Sequence, residues 1–345
     1  MFDLGKLKGM RIAITGGAGF IGHNVALRLA ELGASPHVID GLQVNNIGFY
    51  TSGYSVNSNA ERYIAFINER LNLLRKSKVG LHIIDIRDYQ VLSRTLTEIK
   101  PQVIIHLAAI AHANRSNKDP FSTFDHSMRT LENVLDNSRS GDTHIIYFSS
   151  SMVYGDFNDA AVSEESICQP KGIYGALKYG AEKLVIGYNQ VYDIPYTIIR
   201  PSALYGERCV SRRVGQAFIE NALSGKNLTI NGDGEEGLDF TYIDDLLQGV
   251  ILCVTKKESI NETFNITYGE ARKLNQLASI VREHFPGVEI EYKSRDNLMP
   301  ERGTLSIEKA KELLGYKPHS PVEVGFVKYI QWYKEFAAEN PELFD

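Results

Sequence analysis

Tyr174 and Lys178 stand four residues apart in Pro170-Lys171-Gly172-Ile173-Tyr174-Gly175-Ala176-Leu177-Lys178. The stretch reads as the start of a helix over about 172–191, so the two side chains share one face. An ammonium beside a phenol favours the phenolate. Such a phenol can take a proton from a sugar or alcohol hydroxyl while hydride leaves for an oxidised nicotinamide. Three serines, Ser149 to Ser151, follow the apolar run 143–148 and precede Met152-Val153-Tyr154-Gly155. A serine hydroxyl at a strand end can hold the oxygen that the phenol deprotonates. The Tyr-x-x-x-Lys spacing recurs at Tyr179 and Lys183. Five residues of helix turn a side chain by roughly 140°, so the two pairs cannot face one ligand. The first pair lies near the helix start, after a proline and on the carboxyl side of the sheet, and is the candidate. The second is expected on a solvated or interfacial face.

Such chemistry needs a dinucleotide, and the N-terminal stretch supplies a place for one. Arg11-Ile12-Ala13-Ile14 reads as a strand, and Thr15-Gly16-Gly17-Ala18-Gly19-Phe20-Ile21-Gly22 as a glycine turn. A helical pattern through Val25 and Leu29 stops at Gly33, and Val38-Ile39 forms a second strand ending in Asp40. Gly16 permits the tight turn, Gly19 lets backbone approach a pyrophosphate, and Gly22 lets the helix pack closely on the sheet. The helix N-terminus offers N–H groups and a positive dipole end. Asp40 can accept from a ribose diol and would repel a 2′-phosphate, which favours NAD over NADP. Glycines also mark ordinary turns. Strand before, helix after and acid beyond are the context that favours dinucleotide binding. Phe20 and Ile21 fall inside the turn and are expected against the cofactor.

The following elements continue the alternation. Residues 81–84 read as a strand leading to Asp85 and Ile86, where the acid could meet an adenine amino group or cap the helix from Tyr89. Val103 to Leu107 is a strand running into Ala108 and Ala109, small residues that let backbone lie against a flat ligand. Residues 143–148 and 195–199 are further strands, the last ending in Arg200-Pro201. Strand and helix alternate at the spacing of a doubly wound parallel sheet, with the crevice at the carboxyl ends of the strands. The expected class is α/β: a Rossmann-type sheet domain over 1–200 plus about 238–266. A smaller mixed α/β domain takes about 201–237 plus 267–345. Gly41 to Lys78 is an insertion, loop first and then helix from about Ala60 to Arg75. It reads equally as a surface addition or a flap over the adenosine side. In the helix expected at 119–137, Phe121, Phe124, Met128, Leu131 and Leu135 form a stripe that fits core or interface.

Composition narrows the partners. With 345 residues, a net charge of −5 and no long basic run, nucleic acid is an unexpected partner. No run approaches the ~20 apolar residues of a membrane span, and the N-terminus lacks a signal-peptide pattern. Cys168, Cys209 and Cys253 are odd in number and far apart. That fits reduced thiols and a cytoplasmic location, and no metal-ligand spacing appears.

Taken together, the chain resembles the extended short-chain dehydrogenase/reductases, specifically the nucleotide-sugar epimerase/dehydratase group. The match rests on the glycine loop, Asp40, Asp85-Ile86, His106-Leu107-Ala108-Ala109 and Ser149-Ser150-x-x-Val153-Tyr154-Gly155. Tyr174-x-x-x-Lys178, Arg200-Pro201 and the run Asp239 to Asp245 complete it. The resemblance implies a bound NAD that is reduced and reoxidised within one turnover. Tyr174 is then the base, Lys178 binds the nicotinamide ribose and tunes the phenol, and Ser150 assists. It also implies a nucleoside-diphosphate sugar on the C-terminal domain, and a homodimer through helices 119–137 and 172–191.

Within this group, 4,6-dehydratases use an Asp-Glu pair just after the Ser/Thr; Ser151 and Met152 stand there. The triple serine resembles UDP-sugar 4-epimerases. Asn68-Glu69-Arg70-Leu71 and residues 239–245 resemble UDP-glucuronate 4-epimerases. The expected activity is 4-epimerisation of a UDP-hexose or UDP-hexuronate. The alternatives are a dehydratase, 3- or 5-epimerase or ketosugar reductase of the family, or a silent NAD-binding sensor. The arginine that usually clamps the diphosphate before Asp-Phe is Leu238 here, and two asparagines usual in the family are Ala203 and Ser127. Another cation must balance the diphosphate. Arg212, Arg213, Arg295 and Arg302 are the candidates, with Ser151 and Met152 beside the sugar.

Overall fold

The computed structural model describes residues 4–51, 59–111, 113–139, 142–157, 159–295 and 299–344. Seven strands form one sheet: β1 (Arg11–Thr15), β2 (Ser35–Asp40), β3 (Gly80–Ile83), β4 (Val103–His106), β5 (His144–Phe148), β6 (Tyr196–Arg200) and β7 (Glu262–Asn265). Their order is β7-β6-β5-β4-β1-β2-β3, and every pairing is parallel. Every residue of β4, β5 and β6 is buried. Strands buried along their whole length belong to a sheet covered on both faces. The strand order reverses between β1 and β4, so the glycine turn after β1 and the segment after His106 flank the crevice where ligands of such sheets bind.

A second group of elements follows Arg200. It contains the helices Val214–Leu223, Leu274–His284 and Val322–Glu339 and the parallel pair Leu228–Asn231 with Ile290–Lys293. Short pairs were not legible beforehand: Leu204–Tyr205 with Thr241–Tyr242, Gly237–Leu238 with Arg272–Lys273, and Ala161–Val162 with Thr304–Leu305. Two-residue strands carry no period to read.

The 119–137 segment is not one regular helix. It runs Pro120–Phe124, a π turn over Asp125–Arg129, then Thr130–Asp136. The wide turn resets the apolar stripe. Leu131 and Leu135 are fully buried, whereas Phe121 is 86% and Phe124 51% exposed. A second π turn spans Ala310–Leu314.

The insertion divides between the two expectations: Gly41, Gln43, Val44 and Asn45 border a cavity together with Asp40 and Asp85, on the side expected of a flap, while its helix is no surface addition. Its first part holds a short helix, Ile47–Thr51, and residues 52–58 lie outside the described set. Its long helix, Ala60–Lys76, buries Tyr63, Phe66, Ile67, Arg70 and Leu74. Phe66 packs against Trp332 and Phe336 at 5.0 and 4.8 Å between ring centroids. A helix committed to the core on this scale is a strut between the two halves of the molecule and not a surface addition.

Candidate active site

Tyr174, Lys178 and Glu182 lie four residues apart on the buried face of helix Gly172–Tyr192. The free N–H of Ile173 in its first turn donates to Asn117 Oδ1 at 3.1 Å, a cap supplied from another segment. Lys178 Nζ donates to the Phe148 carbonyl at 2.6 Å, which fixes it at the end of β5. Burial pushes the lysine down to about 8, opposed by the charge of Glu182. Glu182 accepts from the Ser149 hydroxyl and, at 2.9 and 2.7 Å, from the Arg200 guanidinium. Arg200 also donates to the Tyr154 hydroxyl at 3.0 Å, which donates to Asn265 at 2.8 Å. The three serines therefore divide: Ser149 is held by the network below. Ser150 has extended backbone, and its Oγ accepts from Met152 N–H at 3.2 Å, capping the short turn Ser151–Val153.

A cavity of about 480 Å³ opens above this floor. Ser150, Ser151, Met152, Tyr174, Lys178 and Pro201 all line it. The cations on its wall are Lys178, Arg212, Arg213 and Arg302, and no Asp or Glu lines it among the described residues. Tyr179 and Lys183 lie outside it; Lys183 stacks on the Tyr179 ring at 4.9 Å and is exposed.

An adjoining cavity of about 200 Å³ follows the carboxyl ends of β1, β2 and β4. Gly16, Gly19, Phe20, Ile21, Gly22, Asp40, Asp85, Ile86, Leu107, Ala108 and Ala109 line it. Ile21, Leu107, Ala109 and Arg213 border both cavities, which makes one continuous cleft. Gly16 has φ +70, and a β carbon there would reach within 2.8 Å of Ala108 N. Gly22 has a reason other than the one expected. A β carbon on it would stand 2.5 Å from Gly17 Cα and 2.7 Å from Gly16 O, so it admits the glycine turn itself rather than the sheet. Asp40 accepts from Ala18 N–H at 3.0 Å and Leu42 N–H at 2.7 Å, bracing the turn while facing the cavity. Asp85 is gripped by Arg87 Nε at 3.0 Å, which holds its carboxyl below the usual range. The helix cap is Asp88, which accepts from Val91 N–H at 3.1 Å.

The four candidate arginines separate. Arg212 is paired with the buried Glu220 at 3.2 Å. Arg213 donates to the Ala111 carbonyl at 3.2 Å on the wall common to both cavities. Arg302 has a buried Nε without a hydrogen-bond partner among the described residues. Burial pushes its guanidinium down to about 10, against Glu236 and with Arg213 and Arg295. Arg295 lines neither cavity; it faces Glu301 at 3.3 Å and the carbonyls of Met299 and Pro300. Leu238 does line the larger cavity, and the adjacent Gly237 lies beside the Arg302 backbone. Sequence reading missed Thr229 and Asn231, which also line it. Their two-residue alternation with the buried Leu228 and Ile230 was the available signal.

Residues 12–267 match the model of the NAD dependent epimerase/dehydratase family. The chain belongs to that family. A relative named putative UDP-glucose 4-epimerase, from Methanocaldococcus jannaschii, is 31% identical over 94% of this chain and 98% of its own length. A dTDP-glucose 4,6-dehydratase of Haemophilus influenzae is 26% identical over 94% of this chain and 98% of its own. The UDP-glucuronic acid 4-epimerase of Bacillus cereus, solved with UDP-glucuronic acid and NAD, superposes with a TM-score of 0.84. It is 26% identical, covering 95% of this chain and all of that one. The family is NAD-dependent, and the cofactor is NAD. The residues present fit it. Gly16 leaves the cleft floor without a side chain, and the N-terminal N–H groups of helix Phe20–Glu31 have no intrahelical acceptor. Asp40 faces the cavity beside them.

Proposed function

We propose that the chain is a nucleotide-sugar 4-epimerase acting on a UDP-hexose or UDP-hexuronate. The observation that carries this reading is the wall of the larger cavity: a phenol, a lysine and serines, with Ser151 and Met152 where elimination would need an acid and a base. Tyr174 takes the proton of the sugar 4-hydroxyl, and Ser150 holds that oxygen. Lys178, fixed on the Phe148 carbonyl, reaches the nicotinamide ribose. When bound, NAD supplies a hydride acceptor and, once reduced, a donor. The 4-keto sugar turns over within the cavity, and Tyr174 returns the proton as C4 regains hydride on its other face. No further acid or base is required.

The diphosphate falls to Arg302 and Arg213. Arg302, whose backbone lies beside Gly237, lines the same cavity as Leu238, has a buried nitrogen unpartnered among the described residues, and replaces the missing arginine at 238. Arg213 borders both cavities. Arg295 is removed from both. A homodimer through segments 119–137 and 172–191 is part of the proposal. It is supported by the exposed Phe121, Phe124 and Val191, and by Gly180 and Gly187, over which space is open. A cytoplasmic location is supported by three unpaired cysteines. No described helix is long and apolar enough to cross a membrane.

The test is incubation of the purified protein with UDP-, GDP-, CDP- and dTDP-sugars, followed by mass spectrometry and proton NMR. The expected product is an isomer of unchanged mass inverted at C4. A product lighter by water, or inversion at C3 or C5, would replace this reading with another of the family.

A further inference from the structure

Residues Arg208 to Arg213 form the wall between the two cavities. Cys209, Arg212 and Arg213 face the larger one, and Val210, Ser211 and Arg213 the smaller. The segment is bounded by two non-glycine residues in the left-handed region, Arg208 at φ 62 and Arg212 at φ 47. A β carbon disfavours that conformation, so surrounding contacts must impose it. They are present, and most come from the insertion. Arg70 donates through Nε, at 2.9 Å, and through Nη2 to the Arg208 carbonyl. Gln216 donates to the Cys209 carbonyl at 2.9 Å, and the Tyr50 hydroxyl to the Val210 carbonyl at 2.9 Å. Three consecutive carbonyls are thus each held by a different side chain. Arg208 itself pairs with Glu69 at 3.0 Å. Below, the buried Glu220 gathers the Tyr63 and Tyr333 hydroxyls at 2.9 Å each and the Arg212 guanidinium.

Arg70 is fully buried, an expensive placement for a cation. A purely apolar strut would hold the insertion helix on Trp332 and Phe336 without it. Its guanidinium is spent instead on one loop carbonyl. We propose that Arg70 and Tyr50 are positioning residues for Arg213, and so set how tightly the nucleotide sugar's diphosphate is held. This rests on the nucleotide-sugar reading above.

The test measures UDP, GDP, CDP and dTDP binding to the full-length, NAD-containing protein by calorimetry, together with KM and kcat. Tyr50→Phe removes one loop hydrogen bond without emptying space, and Arg70→Lys keeps the charge but loses the fork. Each is expected to weaken binding of the preferred nucleotide and raise KM by about three- to tenfold, with kcat within about twofold. Because the effect passes through the loop, Tyr50→Phe should add less than about twofold in an Arg213→Gln background. Unchanged affinity in Tyr50→Phe, or the same loss with and without Arg213, would overturn the inference while leaving the proposed activity standing. Absence of binding of all four nucleotides to the unaltered protein would overturn that activity, and this inference with it.

Discussion

Tyr174→Phe is expected to lower kcat by about 10²–10⁴-fold, the range for loss of a positioned general acid/base. The substitution keeps the ring, which is 9% exposed on the cavity wall, and removes only the oxygen. Lys178 remains anchored on the Phe148 carbonyl, so the cofactor should stay bound and KM should change little. Tyr179→Phe serves as the comparison. Its ring stacks with exposed Lys183 outside the cavity, and activity should stay within about twofold. Steady-state kinetics and the absorbance of bound dinucleotide check both. Equal loss from the two variants, or none from Tyr174→Phe, would remove Tyr174 from the mechanism.

Glu182→Leu should have the largest effect on stability. Glu182 and Arg200 are buried, at 2% and 7% side-chain exposure, and paired at 2.7 Å. Removing one partner leaves the other charge buried and uncompensated, a loss of about 3–5 kcal/mol. Thermal unfolding should shift downwards by roughly 4–7 °C. The consequence reaches the site, because Glu182 also holds Ser149, the neighbour of Ser150, and Arg200 holds Tyr154. A replacement on the solvated face of the same helix, Lys183→Leu, should change stability by less than about 0.5 kcal/mol. Indistinguishable melting of the two variants would mean that the Ser149–Glu182–Arg200 network contributes nothing.

These two residues show how differently the sequence speaks of site and support. Gly16, Asp40 and Tyr174 were legible because each belongs to a short motif whose spacing alone carries chemistry. The seven-stranded sheet was legible because its strands are long enough for an apolar run to show. Glu182 was invisible: one acid among the 42 acidic residues of the chain, with partners 18 and 33 residues away. The packing of the insertion's helix was hidden for a related reason. Its amphipathic helix was read correctly, but which surface its apolar face would meet depends on Trp332 and Phe336, at the far end of the chain. The π turn at Asp125–Arg129 has no composition signal, so the stripe through Phe121, Phe124 and Leu131 looked continuous. Among the arginines, sequence alone left Arg212, Arg213, Arg295 and Arg302 unranked. Geometry favours Arg302 and Arg213, because only the fold brings Arg302 next to the strand that carries Leu238.

The most direct test of the central claim uses a UDP-sugar substrate deuterated at C4, turned over in ordinary water with limiting enzyme. If one dinucleotide takes hydride from C4 and returns it to the other face of the same carbon, the epimer retains its deuterium at C4 and gains none elsewhere. Loss of the label to solvent, or its appearance at C6 in a product lighter by water, would contradict 4-epimerisation.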